Sequence, residues 1–238
     1  VELKDFFNCE LEINKENANL SFDEKIELFR EKWDNIAQVT KDILLDRYYK
    51  TCKRLPGDFP INQKHHLWKE DFINIEDVFK HGTLSLGFIG LSEAIEILSG
   101  KRFYDNAEAY IEAVGFVRHM REYCDFLKNQ YKLNFSLLAT SGELISGRFI
   151  DIDKAEFEEN KAIFDKGFYT NSFHINVDSD LPTFKKLQLE GIFHNYCNGG
   201  CITYAELGEA PLSNDEGLME YIEEAIKSGV HYLGFNFP

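Results

Sequence analysis

Apolar residues recur at helical spacing at Ile26, Phe29, Trp33, Ile36, Ile43, Leu44 and Tyr48, predicting a long amphipathic helix over 21–54. Ser21-Phe22-Asp23-Glu24 reads as its capping box. Pro56, Gly57 and Pro60 end it. Residues 1–20 read as a strand and loop. A second stripe, Ala113, Phe116, Val117, Met120 and Phe126, predicts a helix over 106–131. Between these two, a shorter helix leads into His81. "TLSLGFIG" then reads as a buried strand turning at Gly90, with a helix over 91–98 and Gly100 as its left-handed C-cap.

Further on, "FSLLAT" (135–140) is a buried strand followed by "SGELISGRF", a loop or short helix. "FYTNSFHINV" (168–177) alternates like a strand, with Asn171 and Phe173 on one face. A helix follows over 181–189, with Pro182 in its first turn. "CITYAEL" reads as a strand, 214–228 as a helix and "HYLGFNF" as a last strand. Strands alternating with helices predict a parallel α/β sheet or barrel.

Composition narrows the function classes. The 238 residues include 21 Phe and 11 Tyr, enough apolar volume for a sizeable core. No apolar window reaches the ~18 residues that cross a bilayer, and no basic-then-apolar leader opens the chain. A cytoplasmic protein is expected, and no membrane partner. A net charge of −15 is a poor match for a phosphate backbone, so no nucleic acid is expected either. Cys9, Cys52, Cys124, Cys197 and Cys201 form an odd set that reads as reduced thiols. Val1 in place of Met, and a terminal strand that stops after its apolar part, read as a piece of a longer protein.

Three glycine-marked loops carry candidate chemistry. In Ser85-Leu86-Gly87-Phe88-Ile89-Gly90 the glycines either permit close strand–helix packing or let backbone approach a ligand, with the free amides of the next helix beside it. Thr140-Ser141-Gly142-Glu143, with Ser146 and Arg148 beyond, is either a solvated turn or an anion nest in which the Ser141 and Gly142 amides hold a phosphate. Cys197-Asn198-Gly199-Gly200-Cys201 with His194 falls short of a four-ligand zinc site, so no metal is expected there. His174 reads as a satisfied histidine, and His65 and His66 as solvent-facing. No nucleophile elbow, Walker loop or paired-carboxylate signature occurs.

Taken in order, "HGTLSLGFIGLSEA", "LNFSLLATSGELISGRF", "KGFYTNSFHI", "CNGGCITYAEL" and "GVHYLGFNF" resemble the anaerobic, class III ribonucleotide reductases, members of the glycyl radical enzymes. The five blocks span 82–237, about two thirds of the chain. The resemblance implies an α/β fold, half of a ten-stranded β/α barrel over 81–238, preceded by a helical connecting region over 1–80. It implies reduction of ribonucleoside triphosphates to deoxyribonucleotides. A thiyl radical removes the ribose 3′-hydrogen, the 2′-hydroxyl leaves as water, and formate or a thiol system supplies electrons.

The thiyl cysteine, the radical glycine and a four-cysteine zinc site are expected outside this chain, which holds no cofactor of its own. The parent protein is expected to be a homodimer activated by an iron–sulfur radical-SAM protein. The substrate-binding residues the resemblance implies are His81, Thr83, Ser85, Gly87, Thr140, Ser141, Gly142, Glu143 and Ser146. Two positions depart from the family: Ser141-Gly142 stand where Pro-Ala is usual, and Cys201 where His is frequent. A diverged, non-catalytic nucleotide-binding relative is the alternative.

Overall fold

The structure, a computed structural model, describes residues 9–68, 74–157, 161–209, 212 and 214–237. The chain begins with α1 (Cys9–Glu16) and α2 (Phe22–Cys52). A 3-10 turn at Pro56–Asp58 leads to the short helices α3 (Pro60–Lys64) and α4 (Ile75–Phe79). Then come β1 (Thr83–Phe88), α5 (Leu91–Ser99), α6 (Ala107–Tyr131) and β2 (Asn134–Ala139). After α7 (Glu143–Glu156) and α8 (Lys161–Phe164), the chain closes with α9 (Thr183–His194), β3 (Thr203–Glu206), α10 (Asp215–Lys227) and β4 (Leu233–Asn236). Among the described residues no helix is long and apolar enough to cross a membrane.

Local signals work where they were legible. Ser21 and Glu24 close the capping box on α2, and Gly100 ends α5 at φ +70°. Asn106 and Asn214 cap α6 and α10 through their side-chain oxygens. Ile43 and Phe126 are exposed, however; the buried stripes run instead through Lys41, Leu45 and Tyr48, and through Met120, Cys124 and Leu127.

Three expectations fail. Residues 9–16 are helical rather than strand and loop, while 1–8 lie outside the described residues. Leu11 and Ile13, two apart, mimic strand alternation, but each is buried in a different cluster: Leu11 with Ile97 and Ile150, Ile13 with Ile26 and Phe29. "SGELISGRF" is the start of a 14-residue helix.

The segment 168–177 is not a strand. Ser172 sits at φ +44°, a left-handed conformation no strand accommodates. The segment's polar groups serve neighbours instead of a ladder: Thr170 and Ser172 accept from the amides of Gly90 and Leu91, and Ile175 donates to Glu190. Its alternation reflects burial of Phe173 and Ile175. Pro182 stands one position early, as the N-cap of α9.

All strand pairing is parallel. β1 pairs with β2 from Thr83↔Asn134 to Phe88↔Ala139, and β3 with β4 from Thr203↔Leu233 to Glu206↔Asn236. Among the described residues these form two small sheets, joined by one parallel bridge, Leu138↔Gly200. The Gly199 amide donates to the Leu137 carbonyl (2.7 Å), and the Ala139 amide to the Gly200 carbonyl (3.0 Å). Leu84, Leu86 and Phe88 face the main core with their register partners Phe135, Leu137 and Ala139. Helices α2 and α6 pack against this side of the strands.

Candidate functional site

Side chains alternate across a strand, so the register sets what lies on the other face. It carries Thr83, Ser85 and Gly87 from β1 beside Asn134, Ser136 and Leu138 from β2. Asn134 donates to Thr83 Oγ1 (2.9 Å), and the Ser85 and Ser136 hydroxyls bond each other at 2.9 Å. A Cβ at Gly87 would lie 2.2 Å from Thr140 Oγ1, so glycine there lets Thr140 stand on the same face. The result is a row of small hydroxyl and amide groups on the face away from the helices.

The carboxyl ends of β1 and β2 bring the first two glycine loops together. The Thr140 amide donates to the Phe88 carbonyl (3.3 Å), and a Cβ at Gly142 would touch Ile89 Cγ2 at 3.2 Å. Three of the amides at these loops are committed. Gly90, at φ +76°, donates to the Thr170 carbonyl at 2.7 Å, and Leu91 to the Ser172 carbonyl at 3.3 Å. Gly142 donates to Asn171 Oδ1 at 3.0 Å. The segment 168–177 thus binds the turns that open both helices, taking up one or two amides of each.

Ser85, Gly87, Thr140, Ser141 and Gly142 therefore share one end or one face of the β1–β2 pair, and Glu143 opens α7 directly beyond them. Ser146 is buried in the first turns of α7. Thr83 begins the hydroxyl row at the amino end of β1, and His81 is exposed just before it, roughly 20 Å of strand from the glycine loops. Arg148 is exposed on α7.

Behind the loops lies a buried ionic cluster. Glu93, 2% exposed, accepts from Lys166, from the Thr170 hydroxyl (2.6 Å) and from the Thr170 amide (3.1 Å). Tyr169 donates to buried Asp153, and burial followed by that bond pushes its phenol well up. Glu10 lines a cavity of about 300 Å³ with Gly87–Gly90, Trp33, Phe149 and Tyr169. Burial first, then the charges of Asp153 and Glu93, push its carboxyl from 4.5 to about 7.

This fixes a pH dependence. Between about pH 4.5 and 7 the folded chain binds a proton at Glu10 that the unfolded chain does not. The stabilisation is complete below 4.5 and is lost as pH rises through 7. Glu10→Gln keeps a neutral side chain of the same shape. It should match the parent near pH 4.5 and exceed its stability at pH 8 by about 2 kcal/mol, after allowing for partial exposure. Urea unfolding at the two pH values checks this; equal differences at both would refute it.

A third cluster surrounds the glycine loop before β3. Glu190, fully buried, accepts from the Ile175 amide (2.9 Å), the Thr203 hydroxyl (2.8 Å) and His174 Nδ1 (3.2 Å). Burial acts to raise its carboxyl, but the His174 bond and charge, Lys186 and the Ile175 amide outweigh it and hold the group below its ordinary value. His174 is thus satisfied, as expected. His194 Nε2 meets Thr203 Oγ1 at 2.9 Å, and its Nδ1 meets Cys201 Sγ at 3.1 Å and the His231 amide at 3.1 Å. Burial, ahead of the charge of His231, lowers His194 to about 4. Glu190 and His231 carried no sequence signal: each is a lone polar residue whose partners lie in other elements.

A family model described as anaerobic ribonucleoside-triphosphate reductase matches residues 11–238. The anaerobic ribonucleoside-triphosphate reductase of Escherichia coli (strain K12) is 33% identical over 169 residues, 69% of this chain and 23% of that protein. That of Enterobacteria phage T4 is 30% identical over 167 residues, 69% of this chain and 26% of the phage protein. The chain thus spans about a quarter of the length of the curated relatives it matches. Among solved structures, an anaerobic ribonucleotide reductase superposes with a TM-score of 0.72 at 15% identity, covering 98% of this chain and 34% of that one. The Thermotoga maritima anaerobic ribonucleotide reductase in complex with dATP and CTP gives 0.66 at 14%, covering 97% of this chain and 35% of that one. At these identities the superpositions establish a shared fold.

Proposed function

The chain belongs to the anaerobic ribonucleoside-triphosphate reductase family, and from that premise we propose that residues 81–238 form half of a ten-stranded β/α barrel whose hydroxyl-lined face cradles a ribonucleoside triphosphate. The observation that carries this reading is the one-sided β1–β2 sheet. Open doubly wound sheets are covered by helices on both faces and are apolar on both. Here one face is apolar and helix-covered, and the other presents Thr83, Ser85, Asn134 and Thr140 around Leu138, with Ser136 buried beneath them. The carboxyl end of β2 is also bridged to the loop before β3, at Leu138↔Gly200, a stagger that supports a sheet continuing towards a barrel. Leu144 and Ile145, exposed on α7, fit a surface covered by the rest of the barrel or by a second copy in a homodimer.

On this reading Ser85 and Thr140 hydrogen-bond ribose or phosphate oxygens, while Ser136 holds Ser85 in place. Ser141 faces the phosphates, and Glu143, by family resemblance, lies beside the sugar. Uncharged walls exclude water and competing proton donors from the sugar. The glycyl radical, raised by an iron–sulfur radical-SAM protein, would generate the thiyl radical that supplies hydrogen abstraction at the ribose. By family resemblance, the four-cysteine zinc site belongs elsewhere in the parent protein. Residues 1–80 serve as the helical connecting region.

In the activated full-length reductase, Ser85→Ala and Thr140→Ala should each raise KM for a ribonucleoside triphosphate about three- to tenfold with an unchanged melting temperature, the worth of one hydrogen bond. Unchanged KM in both would overturn the assignment. The departure at Ser141-Gly142 favours the second reading, a nucleotide-binding relative without reductase activity. Nucleotide binding without turnover in the activated protein would establish that reading instead.

A further inference from the structure

The side chains of His194, Cys201 and His231 converge at the C-terminal end of α9 and just before β3 and β4, with one ligand atom from each lying within 4.8 Å of the others. The three residues come from three separate elements. Cys201 and Thr203 are two apart, so they share the helix-covered side of the strand, away from the hydroxyl row. This differs from the grouping the sequence suggests: Cys197 is buried and outside the cluster, and His231 takes its place.

Hydrogen bonding fixes the state of His194. The Glu190 carboxylate only accepts, so the single Thr203 hydroxyl proton goes to it (2.8 Å). Thr203 Oγ1 must then accept from His194 Nε2–H (2.9 Å), which leaves Nδ1 unprotonated. That acceptor lies 3.1 Å from both Cys201 Sγ and the His231 amide that donates to it. An imidazole oriented by a carboxylate through its far nitrogen is the arrangement that metal-ligating histidines adopt.

We propose that His194 Nδ1, Cys201 Sγ and the imidazole of His231 bind a Zn²⁺ ion, with Glu190 and Thr203 orienting His194 and the fourth position open to water. Two imidazoles and a thiolate form the donor set that borderline-soft Zn²⁺ selects. The present 3.1 Å contact has to open by roughly half an ångström, because tetrahedral Zn–N and Zn–S bonds of ~2.0 and ~2.3 Å hold N and S further apart. Cys201 S–H loses its proton to solvent as the Zn–S bond forms. The His231 amide gives up its bond to Nδ1. The bound ion ties α9 to the segments entering β3 and β4. The proposal stands apart from the nucleotide reading, since none of its residues lies on the hydroxyl row.

The test is metal titration of the purified chain, in reduced form, with Zn²⁺ against a chromophoric chelator and with Co²⁺ as a spectroscopic probe. One equivalent should bind, with thiolate-to-Co²⁺ charge-transfer absorption and the strong d–d bands of a tetrahedral site. Cys201→Ser should abolish the charge-transfer band. His231→Ala, at an exposed position that spares the fold, should weaken Zn²⁺ binding at least tenfold. Thr203→Val should weaken it about 10- to 100-fold, with near-UV circular dichroism confirming the fold. Cys52→Ser should change nothing. Failure to take up one equivalent, affinity unaltered in His231→Ala, or a charge-transfer band persisting in Cys201→Ser would each overturn the site.

Discussion

Glu190→Ala should remove about 3–5 kcal/mol of folding free energy, a large fraction of the 5–15 kcal/mol that holds a typical domain together. The carboxylate is fully buried and takes three donors from two places: the Ile175 amide and His174 Nδ1 in the irregular segment, and the Thr203 hydroxyl on β3. Alanine leaves all three facing a void, and an unsatisfied buried donor costs about 1–3 kcal/mol. Glu190→Gln keeps one acceptor but turns an amide NH₂ towards donors, so its loss should be intermediate. The parent should also resist acid better than either variant. Its carboxyl is held below its ordinary 4.5, so the stabilisation is fully present above that value and fades as pH falls through the lower folded-state pKa. Urea unfolding with an unchanged m-value checks both claims. A Glu190→Ala midpoint indistinguishable from the parent's would mean the three donors find water.

Glu190 also marks where sequence reading reaches its limit. What was legible is local: the Ser21–Glu24 box, the strand that turns at Gly90, the Gly100 cap, and the alternation of helices with strands now seen to pair in parallel. Each depends on residues within a turn or two of one another. The segment 168–177 fails that test. Its alternating burial is genuine, but Thr170 and Ser172 spend their carbonyls on the amino end of α5, about 80 residues earlier, and Ser172 takes a left-handed conformation. No local pattern encodes that. The same holds at the candidate sites. The serines of β1 and β2 read as small polar residues in apolar strands, and only the register shows that Ser85 and Ser136 touch. The family resemblance pointed to the loops that meet at the carboxyl ends of β1 and β2, whereas the commitment of the Gly90, Leu91 and Gly142 amides to residues 170–172 needed coordinates.

Gly199→Ala should be the most damaging single-methyl change near the sheet, and it separates a packing role for this loop from a merely flexible one. A Cβ at Gly199 would stand 2.7 Å from Ser136 Oγ, 2.8 Å from the Leu137 carbonyl oxygen and 3.0 Å from its carbon. Two of these are main-chain atoms of β2, pinned by pairing to β1 on one side and by α6 packed against the strand. The side chain cannot be absorbed by a rotamer change, so the loop has to withdraw. Withdrawal breaks the Gly199–Leu137 bond (2.7 Å), the Ala139–Gly200 bond (3.0 Å) and the bond from the Leu137 amide to Asn198 Oδ1 (3.0 Å). These are what join the two small sheets. The expected loss is about 3 kcal/mol, which for a chain of this size lowers the melting temperature by about 10 °C. Amide exchange at Leu137 and Ala139 should accelerate selectively. Gly208→Ala, where a Cβ meets nothing within 4 Å, is the control and should change stability by less than about 0.5 kcal/mol. If the two alanine variants melt together, glycine at 199 serves chain flexibility alone. The sheets would then be joined by something other than this close approach, and the stagger that argues for a barrel would lose its physical footing.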